Sequence, residues 1–587
     1  MKIRKYMIVI FGLCCIMTSG INAKGVNKDK VVLWASNPLA KIFQDSPIPK
    51  KVNSKGVFIE ALRNEYEPAQ FCITSSNYQG PVRIKVNPLV HRSGKYKISN
   101  INARFVGYIP TPDLVPGSKK FPFADSPDAY PDPLILDEEV ILKPHQTQPV
   151  WITVKVPKDA LPGKYKGNIE VITTTGNAVL PLNLTVYPVT LPETSKFSLG
   201  TWGGDARLAE LFGVVPRGQW QKGNYTPEFL DYVKNVSIKN RKEHRAMVFS
   251  DQPLWSGMDL TTVFWKDGKY VYDYTLLDKL ISMVEEGYKP NPFKIIGISV
   301  VYATIKGTGG TIDEKKGVFT SKIVVLNSDG SVNPEKSVSD ISTDDPRYRA
   351  FIGNFFKAMS LHLKEKGWLD KVYFKVLDEP SDALIGPVLR LNEYIKKTVP
   401  EIRLDATYWK PDSAETMSKA KCIDLPIVTS WTMRVTPKLP PLIRKEAKKG
   451  REFWLYNDPL VTIDNPLIHT RKVAWMAYFN GVKGYMHWAY CWKDNPWENA
   501  FDKVWGHGAH FLVYPDIARK KIVDSIRWEM LRETAEDYDT LYLLEKAGGN
   551  SRKFVKLVND LSGSEQDPKR FYQIRHKLLL ELNRLSK

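Results

Sequence analysis

A (β/α)8 barrel, preceded by an antiparallel β-sandwich and followed by packed helices, is the fold this sequence predicts. Three observations predict it. The chain has 587 residues, too many for one ordinary core. Residues 30–195 read as short alternating runs split by Gly, Pro and Asn turns, with no helical periodicity between them. Beyond them, eight strand-like runs alternate with amphipathic helical text over roughly 300 residues, the count and size of a barrel. A doubly wound sheet is the rival, but no Gly-rich nucleotide turn follows the first of the eight runs.

Residues 1–23 come first. MKIRKYMIVIFGLCCIMTSGINA has a basic start at Lys2, Arg4 and Lys5, a short apolar stretch, and a small Ala23, which is the pattern of a cleavable export signal. The apolar run breaks at Thr18-Ser19-Gly20, short for a membrane span, so the expected product is secreted or periplasmic with no span left after cleavage. Lipid anchoring at Cys14 or Cys15 fits less well, because Gly12-Leu13 departs from the usual small residue before such a cysteine. The cysteines beyond the leader, Cys72, Cys422 and Cys491, form no CxxC and give neither a disulfide scaffold nor a zinc site.

The sandwich is expected over 24–195, carried by VVLWA, GVFIEALRNEYEPAQFCITSS, VRIKVNPL, PVWITVKVP, GKYKGNIEVITT and AVLPLNLTVYPV, with VYPVTLPETSK (186–196) as linker. The barrel is expected over 196–515. Its strands are FSLGTW (197–202), HRAMVFS (244–250), FKIIGISVVY (293–302), KVYFKVL (371–377), RLDATYW (403–409), DLPIVTS (424–430), REFWLYN (451–457) and KGYMHWAYCW (483–492). Residues 303–344 interrupt the pattern after the third strand, on the face where barrels keep their active sites, and form either a lid or a decorative hairpin. Residues 516–587 read as helices on the outside of the barrel, with Ile526, Met530, Leu531, Leu541 and Leu544 as the inward positions.

The formal charge is +20, and loss of the three basic residues of the leader leaves +17. Such a surplus suits acidic partners, and export makes nucleic acid the weakest of them. The basic runs KNRKEHR (239–245) and IRKEAKKGRE (443–452) mix with acids in helical text and read as solvated faces. Nine histidines show no HExxH or paired-ligand spacing, so no metal and no other cofactor is expected.

The chemistry concentrates at KVYFKVLDEP (371–380). Neighbours on a strand point to opposite faces, so Asp378 and Glu379 can share one site only where the strand has ended. Pro380 cannot donate a ladder hydrogen bond and marks that end. Two carboxylates at a barrel mouth repel, and one holds its proton to higher pH than the other, as glycosidic bond cleavage requires. Capping of the next helix by solvated acids is the plain alternative.

Many retaining barrel glycosidases carry Asn-Glu-Pro at this strand, and here the Asn position is Asp378. A carboxylate suits a donor that becomes cationic, such as the N–H of a 2-acetamido group turning into an oxazolinium ion. Taken with RNEYEPAQF (63–71), GYMHWAYCW (484–492) and the closing VYPD…SIRWEMLRETAEDYDTLYLL, the chain resembles glycoside hydrolase family 123 over nearly all of its length beyond the leader. The resemblance implies an N-acetyl-β-galactosaminidase using substrate-assisted retention, with Asp378 stabilising the acetamido group and Glu379 as general acid and base. His507 departs from it, standing where an acidic residue is usual.

Aromatic residues at or near predicted strand ends, Trp202, Tyr408, Trp409, Trp431, Tyr456, Trp488 and Trp492, are the candidate sugar contacts. Tyr456 is the expected donor to the acetamido oxygen and Trp488 the expected platform for the ring. The expected partner is a glycan on a glycolipid, glycoprotein or glycosaminoglycan-type chain. Two alternatives stand beside this reading: a retaining glycosidase with Asp458 as nucleophile, and a glycan-binding protein on a barrel that has lost its chemistry.

Overall fold

The computed structural model describes residues 31–52, 55–110, 129–216, 226–250, 260–301, 304–307, 309–456, 461–492, 495–498, 500, 506–564 and 566–586. The leader and Asp458 lie outside the described residues.

The N-terminal part is a sandwich of two sheets. One orders the strands Val31–Ser36, Tyr66–Ser75, Thr147–Lys155, Ile101–Pro110 and Ala129–Leu134. The other runs Val57–Arg63, Gly176–Thr190, Gly163–Thr173, Gly80–Val86 and Glu139–Leu142, with the short pair Leu89–His91 and Lys97–Ile98 beside it. Pairing is antiparallel except between Val57–Arg63 and Gly176–Thr190, which run parallel. Burial separates the sheets. Gly163–Thr173 alternates between buried and open positions, as a sheet with one wet face should, whereas nine of the ten residues of Tyr66–Ser75 are buried. The first sheet therefore lies between the second sheet and the rest of the molecule.

VYPVT, read as the start of a linker, continues the strand Gly176–Thr190, and Thr190 pairs with Arg63 beyond an irregularity after Val186. The barrel begins at Ser198–Thr201 and closes through Ala246–Phe249, Lys294–Ser299, Val372–Lys375, Arg403–Tyr408, Leu425–Thr429, Trp454–Tyr456 and Gly484–His487, all parallel. All eight fall inside the predicted runs but are shorter, because the residues after each strand turn into loops on the C-terminal face. Alternation divides their side chains. Tyr373, Leu425, Ile427, Trp454, Tyr456 and Met486 fill the interior, while Phe374, Leu404, Ala406 and Val428 meet the surrounding helices.

One barrel helix shows how its ends are written in the sequence. Pro346–Lys366 has Asp345 accepting from the Arg347 N–H at its start and Gly367 at φ 71° at its end, a left-handed turn that glycine adopts freely.

The described part of the 303–344 excursion is packed into the molecule. It carries the strands Ile312–Asp313, Val318–Ile323 and Val338–Ser342, and buries Phe319, Ile323, Val325 and Ile341. It also bonds to the hairpin Thr262–Lys266/Lys269–Asp273, with Trp265 N–H to the Leu326 carbonyl at 2.8 Å and Leu326 N–H to the Val263 carbonyl at 2.9 Å. Ser381 donates to the Glu314 carbonyl at 3.4 Å, so this composite wall stands beside the loop that carries Asp378 and Glu379.

The helix Ile526–Lys546 packs on the outside of the barrel, but it is buried on more than the one apolar face its spacing marks. Seventeen of its 21 residues are buried, including Arg527, Glu529, Arg532, Glu533, Glu536, Asp537 and Asp539, because it lies between the barrel and the first sheet of the sandwich.

Candidate active site

The fourth barrel strand, Val372–Lys375, ends three residues before Asp378. Regular pairing therefore stops earlier than Pro380 requires. The turn that frees both acids from strand alternation is made at Glu379 itself, whose φ of +42° lies in the left-handed region. A non-glycine residue held there is strained, and such strain gathers at functional sites.

Lys375 is the strand's last inward residue and is buried. Its ammonium lies 2.9 Å from Asp378 Oδ1, 3.1 Å from Thr407 Oγ1 and 3.5 Å from Asp405 Oδ1. The Thr407 hydroxyl also donates to Asp378. Asp405 and Thr407 belong to the neighbouring strand Arg403–Tyr408, two residues apart and so on the same face. Beneath them Gly297 donates its N–H to Asp405 Oδ2 at 2.8 Å. Gly297 has φ +79°, and a Cβ there would sit 3.3 Å from Ser250 Oγ and 3.6 Å from Trp202 Nε1, so the interior has little room for a side chain at this level.

The two adjacent carboxyls are pushed in opposite directions. The Asp378 side chain is 62% exposed but sits in the enclosed barrel mouth, which opposes its charge; the Lys375 ammonium and the Thr407 hydroxyl outweigh this and hold the carboxyl below its ordinary range. Burial and the charge of Asp378 raise Glu379, against the hydrogen bond from Tyr456 and the more distant Lys375. Asp405 is raised by burial even though Lys375 stands beside it.

Tyr456, the last residue of the seventh strand, donates its hydroxyl to Glu379 Oε1. The donor expected to meet an acetamido oxygen thus holds the neighbouring acid. The Trp202 ring meets Tyr456 edge-on at 5.5 Å, and the Lys375 ammonium sits 5.0 Å over the Trp202 ring. Trp488 packs against the same interior, its ring 6.4 Å from that of Trp492, and its buried Nε1–H has no partner among the described residues. Trp202, Tyr456, Trp488 and the two acids therefore share one end of the barrel.

The remaining expected contacts separate. Tyr408 is turned outward, which corrects its place among the sugar contacts: alternation sets it opposite Thr407, and its buried hydroxyl lies 2.7 Å from Ser418 Oγ. Trp409 and Trp431 stand on the rim, 37% and 41% exposed. Asp458 lies outside the described residues. His507, the departure from the family pattern, contacts Asp464 at 3.2 Å.

Lys375, Thr407, Asp405 and Gly297 are site residues that the sequence reading missed. Alternation was the available signal. A lysine two positions from Tyr373 in VYFK, and an Asp and a Thr two apart in RLDATY, are polar groups on inward positions of barrel strands.

Among the described residues, one group could offer a metal three ligand atoms: His244, Asp524 and Glu529. Arg104 already donates to both acids, at 2.5 and 2.6 Å, and the group belongs to the sandwich–barrel junction, away from the mouth.

Comparison with known families follows the same two-part division. The model of the glycoside hydrolase 123 catalytic domain matches residues 232–544, and that of the glycoside hydrolase 123 N-terminal domain matches 34–173. A solved family 123 glycoside hydrolase from Clostridium perfringens, described for glycolipid glycan hydrolysis, is 17% identical; the match covers 94% of this chain and 98% of that one, with a TM-score of 0.70. At that identity the likeness is one of fold. A β-D-glucuronidase of Dictyoglomus thermophilum (10% identical, 84% of this chain and 75% of that one) reaches a TM-score of only 0.29 and carries no argument. No curated protein sequence matches the chain.

Proposed function

The chain belongs to glycoside hydrolase family 123 and is therefore a glycosidase, and on that premise we propose that it is an exported enzyme removing terminal β-linked N-acetylhexosamine, GalNAc in first place, with retention. The observation that carries this reading is the unequal setting of two adjacent carboxyls, Asp378 bound by the Lys375 ammonium at 2.9 Å and by the Thr407 hydroxyl, Glu379 bound by the Tyr456 hydroxyl, which pushes Asp378 below and Glu379 above the ordinary carboxyl range.

In the proposed reaction the substrate's acetamido oxygen attacks the anomeric carbon and the glycosidic bond breaks. Glu379 gives its proton to the departing oxygen, and Asp378 accepts the acetamido N–H as positive charge develops on the oxazolinium ring. Glu379, now a carboxylate, then takes a proton from water as that water opens the ring. Such assistance by the substrate replaces a nucleophile supplied by the protein. Lys375 fits as the group that keeps Asp378 anionic, because an ammonium 2.9 Å away favours the charged form. The Trp202 ring and the Trp488 Nε1–H, which has no partner among the described residues, fit as wall and donor for the bound sugar. The signal pattern at residues 1–23 supports export, and the described glycolipid activity of the Clostridium perfringens relative supports a cell-surface glycan as substrate.

Turnover of aryl β-glycosides of GalNAc, GlcNAc and galactose tests the reading. Hydrolysis confined to the 2-acetamido sugars and blocked by a GalNAc-thiazoline is the expected result. Equal turnover of the plain galactoside, or an Asp458→Ala variant whose loss of activity is the largest in the site, would overturn it.

A further inference from the structure

Trp409 and Trp431 are the two exposed tryptophans among the described residues, at 37% and 41%. Large apolar rings left in water need an explanation when they stand together and are held in place. These two are held. The Thr432 hydroxyl, next to Trp431, donates to the Trp409 carbonyl, and Thr429 caps the short helix Ser430–Val435 by accepting from the Thr432 N–H at 3.0 Å. Val435, four residues beyond Trp431 and so on the same helix face, is 45% exposed and extends the apolar surface.

Position ties the pair to the site already described. Trp409 follows directly on the fifth barrel strand, two residues after Thr407, whose hydroxyl binds Asp378. Two residues of extended chain advance about 6.6 Å. Trp431 opens the loop side of the next strand, Leu425–Thr429. Both rings therefore stand on the rim between the strand carrying the acids and the strand carrying Tyr456.

The ring centroids are 6.5 Å apart and the planes are tilted by 45°. A pyranose held between two faces needs about 7–8 Å, one van der Waals contact on each side. No sugar fits between them, but one can lie across their open faces, where apolar C–H groups meet the rings. Lys410, with its ammonium 5.7 Å from the Trp409 ring centroid, borders the patch with a donor for hydroxyl groups.

We propose that Trp409 and Trp431 form the platform for the saccharide unit next to the one cleaved, that is, the sugar of the leaving group. This rests on the reading of the enzyme as one that removes a terminal residue. It makes the natural substrate at least a disaccharide, and it separates these two rings from Trp202 and Trp488, which belong to the pocket of the cleaved sugar.

The test measures kcat/KM on a β-GalNAc-terminated disaccharide and Ki for a GalNAc-thiazoline, which fills only the pocket of the cleaved sugar. Trp409→Ala and Trp431→Ala should each lower disaccharide kcat/KM about tenfold or more through KM, Trp409→Phe should keep part of it, and Ki should stay within about twofold. Unchanged Ki also shows that the variants are folded. A parallel rise in Ki would place the pair in the catalytic pocket and overturn the proposal, as would no change in either quantity. If the thiazoline does not bind the wild-type enzyme, the acetamido route falls instead. The platform is then judged by product inhibition: weaker inhibition by the leaving saccharide but not by the released monosaccharide supports it, and equal effects overturn it.

Discussion

The barrel mouth and the sandwich–barrel junction both gather carboxylates around a few cations, yet they do opposite things with them. At the junction, Arg471 bonds Asp537 at 2.8 Å and lies 3.4 Å from Glu533, Arg575 meets Glu65 and Glu67 at 2.7 and 2.6 Å, and Arg532 reaches Glu529 at 2.5 Å. Burial pushes Glu67 up to about 8 in spite of Arg575 and Arg471. At the mouth, one buried lysine serves Asp378, whose side chain is 62% exposed, against 0–2% for Glu533 and Asp537. A displaced acid marks a working site only where it also faces open space. Sealed by guanidinium groups, the same chemistry joins two domains.

Breaking each region should therefore fail in its own way. The largest effect is expected from Glu379→Gln, which removes the proton donor. Activity on a substrate with a poor leaving group should fall by about 10³–10⁴, while the melting temperature holds or rises slightly, since a like-charge neighbour of Asp378 is gone. A fall in stability of matching size would move Glu379 to the structural side of the comparison.

Arg471→Met should do the reverse. It removes the guanidinium that Asp537 and Glu533 share, leaving as their cations Arg575 at 3.7 Å from Asp537 and Arg532 at 3.3 Å from Glu533, and should cost about 3–5 kcal/mol in denaturant unfolding, with kcat per folded molecule unchanged. Lost kcat at unchanged stability would contradict the division.

Asp378→Asn should lower kcat/KM by about 10²–10³ and also shift the pH profile. Glu379 is raised partly by the charge of Asp378, so without that charge it loses its proton at lower pH and the alkaline limb moves down. Lys375→Met should have the smallest effect, on the other limb. Asp378 is held low by Lys375, so losing the ammonium lets it protonate at higher pH, and the acid limb moves up. An unmoved acid limb would remove Lys375 from the account.

The two regions also differ in how far the sequence disclosed them. The eight barrel strands were legible because each is an apolar run ended by polar or proline-marked loops, and the acids were legible because DEP closes the fourth of them. Lys375 and Thr407 escaped notice because KVYFKVL and RLDATYW read first as strands, and the inward face had to be counted residue by residue. Tyr408 was misplaced for the same reason, one residue out of phase. The junction was legible only in part, for a physical reason. In SIRWEMLRETAEDYDTLYLL the spacing marks only the apolar inward positions, and the partners brought by RNEYEPAQF and by Arg575, hundreds of residues away in sequence or at the far end of the chain, show that the charges are buried as well. Two of the segments that carry the family resemblance are thus junction, and the catalytic pair lies elsewhere.

The central claim is that the substrate's own acetamido oxygen attacks the anomeric carbon while Asp378 stabilises it and Glu379 passes the proton. Its most direct test is kcat/KM for the wild-type enzyme on aryl β-galactosaminides whose N-acyl group is acetyl, fluoroacetyl, difluoroacetyl and trifluoroacetyl. Each fluorine weakens the carbonyl oxygen as a nucleophile, so the account predicts a fall in log(kcat/KM) at every step. A flat series would contradict it and place the nucleophile in the protein.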